Sequence, residues 1–212
     1  MEKQPIHIVW FKRDFRLVDN EVLFHAHQSG APLLLVGFFE PSVMEYPDSD
    51  VRHWRFVYES IQDLNKKLQP SNSKVYFFHE EVKVIFSELI KEYDVKTVFS
   101  HQEIGNQLTF DRDIAMKEFF QSNDITWKEF QMHGVIRRLK SRQEWDKRWE
   151  QVMRDTPKMI QESELNTILL RPNLYDTIKG PDLPIEITTP NPNFQRGGEY
   201  WAWRYLDSFV KK

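Results

Sequence analysis

Five short apolar runs alternate along the chain with longer segments that have a helical spacing. The runs are rich in β-branched and aromatic residues, which is typical of strands, and they cover residues 6–11, 33–39, 74–79, 96–100 and 125–130. Between the second and third runs, apolar residues recur every three or four positions from Trp54 to Leu68. A second stripe of this kind extends from Val82 to Tyr93. Each stripe predicts a helix with one apolar face.

This alternation of strands and helices predicts βαβ units. Such units form a parallel sheet with helices on both faces and right-handed crossovers. We therefore predict an α/β fold, a three-layer Rossmann-like domain with a five-stranded parallel sheet over residues 1–133. The first strand is apolar on both faces, so we expect it to lie in the centre of the sheet.

The composition changes after residue 133. Six of the eleven prolines fall between residues 157 and 192, which predicts a long interdomain connector over residues 134–195 with an extended, Pro-rich second part. The sequence RGGEYWAWRYLDSFV follows, and its apolar residues Trp201, Tyr205, Leu206 and Phe209 fall on one side of a helix. We expect residues 196–212 to form one terminal helix that begins another domain.

Composition excludes several classes of protein. No apolar run approaches the ~18 residues that a transmembrane helix needs, and the first residues do not resemble a secretory signal. The chain has no cysteine, so it has no disulfide and no thiolate site, which fits a cytoplasmic protein. The net charge of −3 predicts little general attraction to nucleic acid.

The first predicted strand ends in a dense run of charges. Lys12, Arg13, Asp14 and Arg16 follow it directly, and Asp19 or Asn20 can cap the next helix. Ligands of open parallel sheets bind at this carboxyl edge, where helix N-termini supply free N–H groups. No G-x-G-x-x-G or P-loop sequence is present, so the usual nucleotide sites are not expected. The alternative is a self-paired cluster of salt bridges that only fixes the turn.

The sequence VWFKRDFRLVDNEVL resembles the opening of the DNA photolyase/cryptochrome family. The resemblance continues through FFEP at residues 38–41, the helix at residues 52–68 and the Arg112–Asp113 pair. RGGEYWAWRYLDSF also resembles the start of that family's helical flavin domain. The resemblance implies an antenna-binding α/β domain, with FAD held by a C-terminal domain that is missing here.

The resemblance also implies a set of residues around an antenna chromophore. These are Lys12, Arg13, Asp14, Glu40, Arg52 and Glu103. The chromophore would be a deazaflavin, a flavin or a folate, and it would pass excitation energy to FAD. The parent protein would be a carbon–carbon lyase that repairs pyrimidine dimers. It would contact UV-damaged DNA through the missing domain, and the partner of this domain would be that FAD domain of the same chain.

A second candidate site is the basic segment over residues 134–154. It contains two tryptophans four residues apart, Trp145 and Trp149, and seven basic residues: Arg137, Arg138, Lys140, Arg142, Lys147, Arg148 and Arg154. Basic residues interleaved with aromatic ones can bind nucleic acid. The interpretation that we favour is an amphipathic helix with packed tryptophans and solvated arginines.

No hydrolase or metalloenzyme motif is visible. His79 and His101 come at the ends of predicted strands, where a hydrogen-bonded histidine is more frequent than a metal ligand. The function hypotheses are therefore a photolyase domain, a cryptochrome-type photoreceptor domain and a stand-alone chromophore- or nucleotide-binding module. We expect the 212 residues alone neither to bind FAD tightly nor to repair DNA.

Overall fold

The computed structural model describes residues 2–132, 134, 136–137 and 139–211. The described strands form one parallel sheet. They are β1 (Gln4–Trp10), β2 (Leu33–Phe38), β3 (Val75–Phe78), β4 (Tyr93–His101) and β5 (Thr126–Phe130). All five predicted strands are confirmed, with ends that differ from the expected ones by at most three residues.

The strand order is β3-β2-β1-β4-β5, and every pair of neighbours is parallel. The central position of β1 is therefore confirmed. The chain adds strands on one side of β1 and then returns to its other side with β4, so the direction of winding reverses between β1 and β4. In open α/β sheets, this reversal opens a crevice at the carboxyl edge.

Nine α-helices and two 3₁₀ turns occur within the described residues. The helices are α1 (Glu21–Gln28), α2 (Pro41–Met44), α3 (Val51–Leu68), α4 (Val82–Glu92), α5 (Gln107–Ser122), α6 (Trp145–Arg154), α7 (Pro172–Ile178), α8 (Ile185–Thr188) and α9 (Glu199–Val210). The 3₁₀ turns are Gln69–Ser71 and Glu162–Glu164. In the described part of the chain, no helix is both long and apolar enough to span a membrane.

Two apolar layers cover the sheet. On one face, Trp10 of β1 packs with Phe86 of α4 and Phe120 of α5. On the other face, Val9 of β1 packs with residues of α1 and α3 such as Leu23. Successive residues of β1 point to opposite faces, and both faces are buried from Ile8 to Trp10, which explains why these residues are all apolar. The predicted three-layer α/β fold is confirmed.

The connector is less extended than we expected. Residues 171–195 contain the short helices α7 and α8, which begin beside Pro172 and Pro184. These helices have seven and four residues, so neither is long enough to show a helical period in the sequence. Five connector residues enter the two core layers: Ile160, Leu165, Leu170, Ile178 and Ile187. The domain boundary at residue 133 stays a prediction.

The GGE sequence anchors the start of α9 on α3. A Cβ atom at Gly197 would lie 2.1 Å from the carbonyl oxygen of Phe56, so only glycine allows this approach. Gly198 has a φ of 110°, a conformation that L side chains rarely adopt. The carboxylate of Glu199 accepts hydrogen bonds from the backbone N–H of Val18 at 3.1 Å and from Lys67 Nζ at 2.8 Å. The rest of α9 is largely exposed, and Phe209 is 80% exposed.

Candidate functional site

A cleft of about 1030 Å³ opens at the carboxyl edge of the sheet. It lies beside the crevice between β1 and β4, and α3 and the start of α9 form its other side. The structure brings all six sequence-predicted site residues to this cleft: Lys12, Arg13, Asp14, Glu40, Arg52 and Glu103. They come from four separate stretches of the chain, which meet because parallel strands end at the same edge.

Arg112 of α5 lies at the centre of the charged groups. Its Nη2 donates to Glu103 Oε2 at 2.8 Å and to Asp113 Oδ1 at 2.9 Å, and its Nη1 donates to Glu40 Oε1. Burial alone would lower the pKa of Arg112, but the neighbouring carboxylates, Glu40 foremost, raise it above its ordinary value. The guanidinium therefore keeps its charge and is shared among three acids.

Lys12 is buried among aromatic rings beneath this group. Its Nζ donates to Asp113 Oδ2 at 2.7 Å and lies 4.4 Å from the ring centre of Trp10. Burial lowers the pKa of Lys12, and the Asp113 carboxylate opposes this shift. Lys12 therefore lines the cleft with its charge already held by Asp113 and by the ring of Trp10.

Asp14 fixes the loop that follows β1. Its Oδ1 accepts from the backbone N–H of Lys12 at 2.9 Å, and its Oδ2 lies 2.5 Å from His101 Nδ1 at the end of β4. Asn20 caps α1 through Leu23 N–H and also donates to the carbonyl of Asp14. The prediction of an Asp19 or Asn20 cap is confirmed for Asn20, and His101 is a hydrogen-bonded histidine as expected.

Glu103 holds the loop after β4. Its Oε1 accepts from the backbone N–H of Ile104 and Gly105 at 2.9 and 2.7 Å, and Arg13 Nε lies 3.3 Å away. Burial acts to raise the pKa of Glu103, but Arg112, Arg13 and other donors outweigh it and lower the pKa to about 2. A Cβ atom at Gly105 would lie 2.5 Å from Arg13 Nη2, so glycine leaves room for the arginine.

Glu40 is an acid of the cleft with unused hydrogen-bonding capacity. Its Oε2 is buried and has no hydrogen-bond partner, while its Oε1 accepts from Arg112. Burial raises the pKa of Glu40 to about 7, against the opposing effect of Arg112. Arg112 is shared with other carboxylates, so it does not offset the whole cost of burying Glu40. Near neutral pH this carboxyl group can either accept or donate a proton in a hydrogen bond to a ligand.

Arg52 supplies an exposed positive charge at the rim. Its side chain is 55% exposed and lies 3.7 Å from Asp50, which caps α3. An exposed pair of this kind contributes little to stability. Arg52 is thus available to a bound anion.

The wall of the cleft contains apolar residues that the sequence did not single out as site residues. Trp54, Phe56 and Val57 come from α3, and Phe194 comes from the connector. The helical stripe predicted Trp54 as a core residue, but nothing in the sequence separated a core position from a cleft position. Arg112, which the sequence identified only as part of a matching pair, is the central cation of the site.

The basic segment divides between the site and the solvent. We expected Arg137 to be solvated, and this expectation is wrong. Its Nε donates to the carbonyl of Glu103 at 2.8 Å, and its Nη1 donates to Glu129 at 3.0 Å. The helix of this segment begins only at Trp145. Arg138 lies outside the described residues. No group of three or more His, Cys, Asp or Glu residues suited to a metal occurs in the ranges that the structure describes.

Comparisons with known proteins place these features in a family. The family model described as DNA photolyase matches residues 7–158. Cryptochrome-2 of Gallus gallus is 30% identical over 86 residues, which are 41% of this chain and 15% of that protein. The crystal structure of a class III photolyase from Agrobacterium tumefaciens matches the whole chain with a TM-score of 0.70 and 20% identity, over 45% of its own length.

A third relative is an archaeal photolyase from Sulfolobus tokodaii. It matches 95% of this chain and 46% of its own, with a TM-score of 0.70 and 18% identity. Its structure is described as containing two FAD molecules, with the implication of a novel light-harvesting cofactor. The chain thus spans a little under half the length of these solved structures. The family model matches well over half of the chain, and the chain therefore belongs to the DNA photolyase family.

Proposed function

We propose that this chain is the N-terminal, light-harvesting domain of a photolyase that repairs UV-induced pyrimidine dimers in DNA, and that its cleft holds a flavin-type antenna chromophore. One observation carries the proposal. Six residues chosen from the sequence line a single cleft at the carboxyl edge, together with aromatic side chains. Its volume of about 1030 Å³ is at the upper end of the range for small-molecule sites, roughly 300–1,000 Å³.

The donor set fits a planar, polar ring with an anionic substituent. Glu40 Oε2 lacks a partner and would bind a ring N–H or carbonyl at the inner end. Trp54 and Phe56 offer apolar surface to the faces of a ring. Arg52 and Arg13, each more than half exposed, would bind phosphate or carboxylate at the rim. When bound, the chromophore would absorb light and pass the excitation energy to FAD.

In this proposal, a further domain binds FAD and recognises the dimer. Extrusion of a dimer from the duplex needs a pocket beside the flavin. The cleft of this chain has a charged wall instead, where Arg112 is paired with Glu103 and Asp113. We therefore expect no light-dependent repair by the 212 residues alone.

A binding assay tests the chromophore assignment. The purified chain is titrated with FMN, FAD, a deazaflavin and methenyltetrahydrofolate, and binding is followed by fluorescence anisotropy. We expect saturable binding of at least one flavin-type ligand. Arg52→Ala should weaken it by about 10-fold, the effect of one lost charge-assisted hydrogen bond. Lys66→Ala, an exposed residue of the same helix far from the cleft, is the matched control.

Two outcomes would overturn this assignment. One is the absence of saturable binding for all flavin-type ligands, and the other is equal affinity of the Arg52→Ala and wild-type chains. Tight binding of the folate alone would redirect the proposal from a flavin to a folate antenna.

A cryptochrome-type photoreceptor domain is the second candidate. It is favoured by the 30% identity to a protein named Cryptochrome-2. The two candidates share this domain and differ in the chemistry of the FAD domain. A dimer-repair assay under blue light, performed with this domain joined to its flavin domain, distinguishes them, because only a photolyase should remove dimers from an irradiated oligonucleotide.

A further inference from the structure

Helix α6 and the segment just before it present a surface that the antenna site does not use. We call it the tryptophan–basic surface and define it by five residues: Lys140, Arg142, Trp145, Arg148 and Trp149. The two tryptophans are 37% and 43% exposed. Their ring centres are 6.4 Å apart, and their planes are inclined by 27°. Two large indoles therefore stand nearly parallel on the outside of the protein.

The local structure holds these indoles in place. Trp145 Nε1 donates to the carbonyl oxygen of Gly134 at 2.8 Å. A Cβ atom at Gly134 would lie 2.6 Å from Trp149 Cδ1 and 3.4 Å from Trp145 Cζ2. Gly134 thus fits against both rings, which fixes their inner edges and leaves other parts exposed. A ring whose side chain is restricted by such contacts loses less conformational entropy when another ring stacks on it.

Three of the positive charges around the rings have no acidic partner among the described residues. Lys147 pairs with Glu144 at 3.2 Å, and Arg154 pairs with Glu150. In contrast, Lys140, Arg142 and Arg148 form no ion pair with any residue that the structure describes. Lys140, Arg148 and Trp145 also line a groove of about 650 Å³ beside the helix. The surface therefore combines exposed aromatic rings, free cations and a concave channel.

We propose that the tryptophan–basic surface binds single-stranded nucleic acid, with unstacked bases on Trp145 and Trp149 and the phosphate backbone along Lys140, Arg142 and Arg148. Aromatic platforms beside a cationic groove are the usual physical basis of single-strand binding. Trp145 lines the groove together with Lys140 and Arg148, which places one exposed ring directly beside two of the unpaired cations.

Charge and stacking favour single-stranded nucleic acid over three other ligands: a second copy of the chain, duplex DNA and an acidic peptide. A symmetric dimer through this face would bring the unpaired cations of two copies together, and like charges at an interface oppose association. Duplex DNA keeps its bases stacked on each other, so it could use the cations and not the rings. An acidic peptide would satisfy the cations but would offer no flat ring to the tryptophans.

The test measures binding of the 212-residue chain to a fluorescein-labelled oligo(dT) of about 12 nucleotides, a length within the usual range of single-strand sites. We expect saturable binding. Trp149→Ala should weaken it by about 10-fold, and Trp149→Phe should restore most of the affinity because a ring is present again. Arg148→Gln should reduce the slope of log K against log salt by about 0.7, the value for one phosphate contact on a single strand.

Trp203→Ala is the matched control, because Trp203 is 52% exposed on α9 and lies outside the surface. Unchanged affinity in this variant, with a weaker complex for a duplex of the same sequence, would support the proposal. Equal affinity of Trp149→Ala and wild-type chains would overturn it. So would full displacement of the oligonucleotide by polyglutamate at matched charge, or a dimer in solution that Trp149→Ala dissociates. Circular dichroism of each variant verifies that the fold is retained.

Discussion

The loop after β1 and the helix α6 have similar residue types and opposite environments. Each combines lysine, arginine and aspartate with tryptophan close by. At the carboxyl edge, the side chains of Lys12 and Asp113 are only 4% and 6% exposed, and each charge meets an opposite one. At the start of α6, Lys147 pairs with the N-cap residue Glu144, and the two side chains are 73% and 61% exposed. The same composition makes an internal framework in one place and a solvated surface in the other.

Chain topology accounts for this difference. The charges at the carboxyl edge follow central strands, so the neighbouring strands and α5 bring acids and bases from distant positions together. Lys12 and Asp113 are 101 residues apart, and Arg112 and Glu40 are 72 apart. The pairs on α6 are three or four residues apart and need no tertiary structure. Sequence separation of the partners therefore distinguishes a charge cluster that depends on the fold from one that depends on a helix.

The largest difference in stability between the two regions should come from replacing Arg112. Replacement by alanine leaves Glu40, Glu103 and Asp113 buried without their shared cation, and loss of one partner of a buried ion pair costs about 4 kcal/mol. Urea unfolding followed by circular dichroism measures this loss. The matched variant Arg154→Ala removes an exposed ion pair of α6 and should have little effect. Equal losses in the two variants would contradict the distinction between the regions.

Asp14→Ala should give the next largest effect. The variant removes the acceptor of both Lys12 N–H and His101 Nδ1, and buried polar groups that lose a charged partner cost about 3 kcal/mol in total. Asp146→Ala on α6 is the control, since residue 146 is exposed. The measurement is again the free energy of unfolding in urea. A loss below about 1 kcal/mol for Asp14→Ala would show that the loop after β1 does not depend on this carboxylate.

Most of the fold could be predicted from the sequence because its signals are local. The apolar runs identified the five strands, and the apolar residues on both faces of β1 identified the centre of the sheet. The helices α7 and α8 could not be predicted, since they are too short to repeat an apolar position. Arg137 was also misjudged, because its partners Glu103 and Glu129 belong to β4 and β5 regions that only folding brings near.

The candidate site could be predicted only in part. Family motifs indicated six positions that the structure brings to one cleft. They could not show that Arg112 is the shared cation, or that Glu40 keeps an unpartnered oxygen. These properties depend on side-chain directions and burial in three dimensions. A sequence gives the residue types at an edge, whereas the pairing among them is a property of the packed structure.

The pH dependence of stability should separate the buried acid Glu40 from exposed acids. Its pKa is raised to about 7 in the folded protein and is about 4.5 when exposed, so the folded state holds a proton that the unfolded state has lost between these values. The contribution of Glu40 to the free energy of unfolding is therefore fully present below about pH 4.5 and is lost as the pH rises through about 7. Because of Glu40, the free energy of unfolding of the wild-type chain should fall by on the order of 2 kcal/mol between pH 5 and pH 7. The Glu40→Gln variant should lack this fall.

The measurement is the free energy of unfolding of both proteins at several pH values, and the difference between them isolates Glu40 from the histidines. Glu118→Gln, a change at an exposed position of α5, is the control and should leave the profile unchanged. Parallel profiles for Glu40→Gln and wild-type chains would show that Glu40 is ionised throughout this range and is fully compensated by Arg112.

The smallest change in the free energy of unfolding should come from replacing Arg148. The size of this change tests whether the side chain of Arg148 has no partner within the fold. Arg148 forms no ion pair with any residue that the structure describes, so Arg148→Ala should change the free energy of unfolding by less than about 0.5 kcal/mol. Arginine and alanine both favour helices, so the backbone of α6 should not be affected. The variant would then keep its stability while losing affinity for a single strand, which a purely structural residue could not do. A loss above about 1 kcal/mol would instead mean that Arg148 has a partner within the fold. The cations of α6 would then resemble those of the carboxyl edge, and the contrast between the two regions would fail.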